Sequence, residues 1–106
     1  MAKNRSFQEY IIRWLTPQLC CIKTKGLGVW LIGSIASGKA NPNDCDLLVI
    51  APLSELVSIN EYTDLLRKHF RSEFELPLHL TIISTEELED CKEFLSKVFQ
   101  RKTIEI

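Results

Sequence analysis

Asp44 and Asp46 stand one residue apart at the entrance to an apolar run, Leu47-Leu48-Val49-Ile50. In an extended strand, residues two apart share a face, so the pair presents two carboxylates from backbone sites about 6.5 to 7 Å apart. Hard oxygen ligands at that spacing suit Mg2+, which takes a few carboxylates together with water and phosphate oxygens; a pair of such ions clamps the attacking and leaving oxygens of an in-line phosphoryl displacement. Upstream, Gly33-Ser34 closes a second apolar run, Val29 to Ile32. Gly33 would let a triphosphate approach the backbone, and Ser34 would add a hydroxyl and the free amides of a short helix. A lone D-x-D is commonly no more than a turn cap followed by an exposed strand residue. Here an apolar strand, Gly-Ser, a short helix, a turn and D-x-D follow in one order between Val29 and Asp46, which favours a nucleotide site.

A competing motif overlaps it. Gly33-Ser34-Ile35-Ala36-Ser37-Gly38-Lys39 matches most of a P-loop, but that site needs a hydroxyl on the next residue to ligate magnesium and a long helix behind it. Ala40 has no ligand atom and Pro42 would break the helix within a turn. Lys39 either reaches a β- or γ-phosphate or is simply solvated. The four cysteines, 20, 21, 45 and 91, include no C-x-x-C pair, and with His69 and His79 give no zinc-like spacing; they read as reduced thiols. Trp14 and Trp30 sit in apolar patterns and read as core. Lys97, Gln100, Arg101 and Lys102 read as a solvated helix end that complements the helix dipole.

The elements that must position these residues follow from periodicity. Ser6-Phe7-Gln8-Glu9 is a capping-box pattern before Phe7, Tyr10, Ile11, Trp14 and Leu15, predicting a first helix that Pro17 stops or kinks; Thr16 could cap a restart to about Ile22. A loop is expected at Lys23 to Gly26, a buried strand at Gly28 to Ile32, a short helix within Ser34 to Lys39, and a second strand at Leu47 to Ala51. A Ser58-Ile59-Asn60-Glu61 box opens a helix with Tyr62, Leu65, Leu66, His69 and Phe70 on one face. A third strand is expected at Leu78 to Ile83, then a Ser84-Thr85-Glu86-Glu87 box and a last helix carrying Leu88, Cys91, Leu95 and Val98. The predicted order is α, β, short α, β, α, β, α, in one domain over residues 1–106.

Composition agrees with one compact domain: 106 residues, 45% hydrophobic and 25% charged, with a formal charge of −1. That balance gives no general attraction to double-stranded nucleic acid or an anionic membrane, so a polyanion would have to be gripped locally. No run approaches the ~20 apolar residues of a spanning helix, and the first residues lead into no signal-peptide pattern. The expected setting is cytoplasmic.

From Leu31 to Val49, the segment Leu31-Ile32-Gly33-Ser34 through Asp44-Cys45-Asp46 into Leu47-Leu48-Val49 resembles the polymerase-beta-type nucleotidyltransferase superfamily, most closely its minimal nucleotidyltransferase members. The match covers about a fifth of the chain. The resemblance implies an α+β fold, a small mixed sheet flanked by helices. It also implies Mg2+ (or Mn2+) on Asp44 and Asp46, a nucleoside triphosphate held by Gly33 and Ser34 with Ser37 and Lys39 beyond them, and transfer of a nucleoside monophosphate to a hydroxyl. With no second helical domain expected, the acceptor would be held by another molecule; minimal members often act with a small helical partner, some as antitoxins that modify it. Ser37 stands where many members have Arg and Asn43 where they often have Ser. The third carboxylate expected on the later strand is absent. His79 takes its place, as the only nearby group there able to accept a proton, and Glu75 could substitute only if that strand reached back across Pro77. The alternative reading is a catalytically silent domain of this fold serving as a binding or regulatory subunit.

Overall fold

The computed structural model describes residues 2–23, 28–39 and 41–106. In chain order these form α1 (Ala2–Lys23), β1 (Gly28–Ile32), α2 (Gly33–Ala36), β2 (Cys45–Ala51), a 3-10 turn (Leu53–Glu55), α3 (Leu56–Phe74), β3 (Leu78–Ser84), a second 3-10 turn (Thr85–Glu87), α4 (Lys92–Gln100) and β4 (Ile104–Glu105). The strands make one mixed sheet in the order β3-β2-β1-β4. β1 runs antiparallel to β2 and β4, and β2 runs parallel to β3. The expected α+β domain, a small mixed sheet flanked by helices, is what forms.

Strand alternation divides the core. Val29 and Leu31 of β1 and Leu47 and Val49 of β2 are fully buried in one cluster with Ile11, Leu15 and Leu19 of α1 and Ile59, Leu66 and Phe70 of α3. Rings seal the α1–α3 contact: Trp14 meets Phe70 and Phe74 edge-on at 5.8 and 5.6 Å, and Phe70 and Phe74 lie 4.6 Å apart. The Tyr10 hydroxyl donates to Glu73 and that of Tyr62 to the Gln18 carbonyl, tying the same two helices. On the other face Trp30 packs against Phe99 of α4 at 5.3 Å. No helix among the described residues is long and apolar enough to cross a membrane.

Several boundaries differ from the sequence reading. α1 begins at Ala2, ahead of the predicted cap at Ser6, and runs through Pro17 without a stop. Ile11, Leu15 and Leu19 bury the stripe on either side of the proline, while Arg13, Thr16 and Pro17 lie on the exposed side, where water can take the carbonyl that proline leaves unpaired. The Thr16 hydroxyl therefore bonds back to the Ile12 carbonyl at 2.7 Å and caps nothing. Lys23 is still helical; the rest of the predicted loop lies outside the described residues. α3 starts at Leu56, so Ser58 falls inside its first turn; the chain enters through the 3-10 turn after Pro52, whose Leu53 amide donates to Glu86 at 3.0 Å. The Ser84 box does form, with the Ser84 amide donating to Glu87 at 2.9 Å, but it caps a 3-10 turn, and α4 starts only at Lys92. Leu88 and Cys91 consequently precede the last helix. β4, unpredicted because two residues carry no alternation, is fixed by the Ile106 amide on the Val29 carbonyl at 2.9 Å.

Candidate metal centre

Two registers meet at the mouth of β2. The antiparallel pairing sets Ile32 opposite Asp46, so Gly33, the next residue, falls against the Asp46 side chain. The parallel pairing sets Asp46 opposite His79 and Cys45 opposite Leu78, with the Cys45 amide donating to the Pro77 carbonyl at 3.0 Å. Residues 44 and 46 share a face and the intervening Cys45 points into the core, fully buried. The result is a three-sided cluster. His79 Nδ1 lies 3.4 Å from Asp44 Oδ2 and 3.5 Å from Asp46 Oδ1, and one donor atom from each of the three residues lies within 4.8 Å of the others. These three residues could hold a metal ion. Side-chain exposures of 34%, 30% and 59% for Asp44, Asp46 and His79 leave the cluster open to an entering ion.

Electrostatics point the same way. Partial burial, then the hydrogen bond with Asp44 and its negative charge, raise the Asp46 pKa above the ordinary carboxylate value, against the opposing pull of His79. Burial, together with the charges of Asp46 and Asp44, pushes the Cys45 thiol well up, so that thiol is a packed neutral group and no ligand. A cation between the carboxylates would relieve their repulsion. Gly33 shows how closely the cluster is fitted: its φ is +76°, and a Cβ there would stand 2.7 Å from Asp46 Oδ2. Glycine is needed both for the left-handed backbone and for the space the carboxylate fills.

The other predicted phosphate residues sit on α2 and the turn behind it. Ser34 follows Gly33, and its hydroxyl oxygen is buried without a hydrogen-bond partner among the described residues. Gln8 of α1 anchors this short helix by donating to the carbonyls of Ile35 at 2.8 Å and Ala36 at 3.2 Å. Ser37 and Lys39 are exposed and close the end of α2: the Ser37 hydroxyl and the Lys39 amide both donate to the Ser34 carbonyl, at 3.0 and 2.9 Å. Neither belongs to the Asp44–Asp46–His79 cluster. Glu75 does not enter β3. It caps α3 in the left-handed conformation, φ 57°, with its amide on the Arg71 carbonyl, so it cannot substitute for the missing third carboxylate.

Two groups of basic residues not singled out for this role flank the cluster. Lys97, Arg101 and Lys102, with Phe94 and Val98, line a cavity of about 280 Å3 together with Ile32 and Gly33. This basic stretch, read from sequence as only a solvated helix end, thus faces the Gly33 side of the centre. Arg67 and Arg71 of α3 line a second depression of about 460 Å3 with Pro77, Leu78, Leu80 and His79 itself. The i, i+4 spacing of Lys97 with Arg101 and of Arg67 with Arg71 was the available signal, but only the tertiary fold says what each pair faces. Comparison with protein-family models, with curated proteins and with solved structures finds no match to this chain.

Proposed function

We propose that the chain is a nucleotidyltransferase-like domain of the polymerase-beta type. In this reading it binds a nucleoside triphosphate with Mg2+ or Mn2+ at Asp44 and Asp46 and transfers the nucleoside monophosphate to a hydroxyl of another molecule, either a helical protein partner in an antitoxin-like pairing or another acceptor. The observation that carries the reading is the convergence of Asp44, Asp46 and His79 around one point, with Gly33 pressed against Asp46. The donor set fits the ion: the two carboxylates, Asp44 and Asp46, are hard oxygen ligands of the kind Mg2+ and Mn2+ take. The ion's chemistry, when bound, is to neutralise charge on the phosphoryl group being transferred.

The chain's own residues then divide the work. The Gly33 backbone lies against the Asp46 carboxylate, where phosphate oxygens would be received, and the hydroxyl of Ser34, the next residue, has no partner among the described residues. Lys97, Arg101 and Lys102, which line a cavity with Gly33, attract the outer phosphates. The acceptor oxygen forms its bond to the α-phosphorus as the bond to the β-phosphate oxygen breaks, and pyrophosphate departs with that electron pair. With Nδ1 turned to the two aspartates, the other nitrogen of the His79 ring is the one left to accept the hydroxyl proton. One observation favours the silent alternative: the imidazole already sits against both carboxylates, a contact that satisfies them without a metal.

Calorimetry with Mn2+ and each of the four common nucleoside triphosphates, followed by transfer of label from the best binder to candidate acceptors, tests the reading. Asp44→Asn and Asp46→Asn should each weaken metal-dependent nucleotide binding by at least about tenfold, the loss of one charge-assisted contact. His79→Ala should leave that binding nearly intact and depress transfer, whereas His79→Asp should preserve or raise it. Unchanged affinity in both Asn variants removes the metal centre. Binding without transfer by the parent selects the silent domain.

A further inference from the structure

The two edges of the sheet are finished differently. At one, β4 is two residues long. At the other, β3 runs for seven residues, Leu78–Ser84, with β2 as its one neighbouring strand. An exposed edge is usually blunted by a lysine, a proline or a bulge. β3 contains no lysine, proline or acid, and it pairs with β2 residue for residue from Cys45↔Leu78 to Ala51↔Ser84, without a bulge. Its side chains Leu80 and Ile82 are only partly buried. One bond fixes where the free backbone groups point. The Cys45 amide donates to the Pro77 carbonyl at 3.0 Å, and along a strand alternate residues turn both backbone groups to the same side. Those of His79, Thr81 and Ile83 therefore meet β2, and those of Leu78, Leu80 and Ile82 point away from the sheet. The Ser84 amide, next in the outward series, is taken by Glu87 at 2.9 Å, which ends the open stretch.

We propose that β3 pairs antiparallel with β3 of a second copy of this chain, about a two-fold axis at Leu80, so that two sheets become one. This register sets Leu80 against Leu80 and Leu78 against Ile82, outward residues that exchange two backbone bonds per pair. Moving the axis two residues either way sets Leu80 against Leu76, which lies outside the strand, or against Ser84, whose amide is taken. Charge on α3 selects a second copy as the occupant. Asn60, Asp64, Arg67 and Arg71 follow at spacings of four, three and four and so form one stripe. The stripe lies at the β3 edge, because Arg67 and Arg71 line a depression with Leu78 and Leu80. Its first half is polar and acidic and its second half basic. Antiparallel pairing of β3 also sets the two copies of α3 antiparallel, bringing Asp64 to Arg67 and Asn60 to Arg71 of the other copy, twice over. The levels agree: four helical residues advance about 6 Å and two strand residues about 6.6 Å. With Arg71 and Arg67 spanning Leu78 to Leu80, the midpoint of Asp64 and Arg67 falls close to the axis. Within one chain Arg67 and Asp64 pair at 3.0 Å, but with side-chain exposures of 42% and 72% that pair is solvent-screened, and its charges are free to be shared across the axis. A foreign strand would find the same backbone groups but no reciprocal charge. The formal charge of −1 gives two copies little cause to repel. None of this depends on the transferase reading.

Sedimentation equilibrium over a concentration series, joined to residue-resolved hydrogen exchange, tests the pairing. The parent should show the mass of two chains. Asp64→Arg and Arg67→Glu each set like charges against each other across the axis and should weaken self-association by at least about tenfold. Mixing these two variants should restore pairing between unlike copies, and Asp64→Arg with Arg67→Glu in one chain should restore it between like ones. The Leu80 and Ile82 amides should exchange slowly in the parent and fast in each single variant, while those of His79, Thr81 and Ile83 stay protected in all. Leu80→Pro, which removes the central outward donor and no bond to β2, should sediment as one chain with the parent's circular dichroism; should it misfold, the charge variants carry the test alone. A parent that sediments as one chain at every concentration overturns the proposal. So does a dimer that Asp64→Arg and Arg67→Glu leave intact, or a mixture of the two that fails to pair. A single-chain parent whose Leu80 and Ile82 amides become protected only by an added extended peptide of another sequence makes the edge a peptide site and overturns the second copy as its occupant.

Discussion

The ring cluster between α1 and α3 and the carboxylate cluster at the mouth of β2 are built on opposite physical terms. In the first, Trp14, Phe70 and Phe74 touch edge to face, and Phe70 is fully buried, so removal from water and ring geometry both favour the folded chain. In the second, two partly buried acids are held against each other, and one of them resists ionisation. The first cluster stabilises the domain, whereas the second destabilises it in return for a place where a cation is welcome. Stability and the capacity to hold a cation are therefore carried by different residues, and substitutions should separate them.

The largest effect is expected from Phe70→Ala, which should cost about 3–5 kcal/mol in denaturant unfolding, while any folded fraction keeps its Mn2+ affinity per molecule. Next, Mn2+ at roughly a hundred times its dissociation constant should stabilise the parent by about 2.7 kcal/mol and Asp46→Asn much less, as read by thermal melts with and without chelator. Gly33→Ala comes third. The left-handed backbone alone should cost roughly 1–2 kcal/mol, and the contact with Asp46 should add to it. Combining Gly33→Ala with Asp46→Ala should recover the second part and not the first, so a double-mutant cycle should show coupling between the two positions.

The smallest effect is a pH dependence. The folded state holds the Asp46 proton more tightly than the unfolded chain does, so between the two pKa values the folded state binds more protons and stability falls as pH rises. Above the raised pKa the penalty is complete. Metal-free Asp46→Asn should therefore melt at a higher temperature than the parent at neutral pH, and the gap should close as the pH falls to about 4, the ordinary carboxylate range. Glu86 runs the other way: its bonds from the Leu53 amide and the Thr85 hydroxyl lower its pKa, a contribution present above the ordinary Glu value and lost as pH falls through the folded one. Glu86→Gln in the Asp46→Asn background should remove that acid-side loss. A parent that melts higher than Asp46→Asn at neutral pH would refute the contrast between the two clusters.

What was legible in the sequence was whatever is set by local pattern. The apolar runs at Val29–Ile32 and Leu47–Ile50 became the two central strands, and the Asp-x-Asp spacing put both acids on one face. Pro17 misled because its local preference was outweighed by the buried stripe of Ile11, Leu15 and Leu19. Ser58 misled because a 3-10 turn started by Pro52 begins the helix earlier. The juxtaposition of His79 with the acids depends on the β2–β3 register. That of Gly33 with Asp46 depends on the β1–β2 register, and neither pairing is written within one segment. The basic pairs Arg67 with Arg71 and Lys97 with Arg101 had helical spacing but no address, and β4 is too short to leave any pattern.

Cys45 gives the chain an internal clock. Its thiol has no solvent contact, sits between two acids in sequence, and is held by the pairing of β2 with Pro77 and Leu78. A reagent in solution can reach that sulfur only when the β2–β3 edge parts, so in a variant whose other three cysteines are alanine the labelling rate counts those openings. An ion held by residues 44 and 46, on the face opposite the thiol, would bind the closed edge in preference to the parted one. Mn2+ should then slow alkylation of Cys45 without touching it, turning an inert core residue into a reporter of how often the edge that carries the site comes apart.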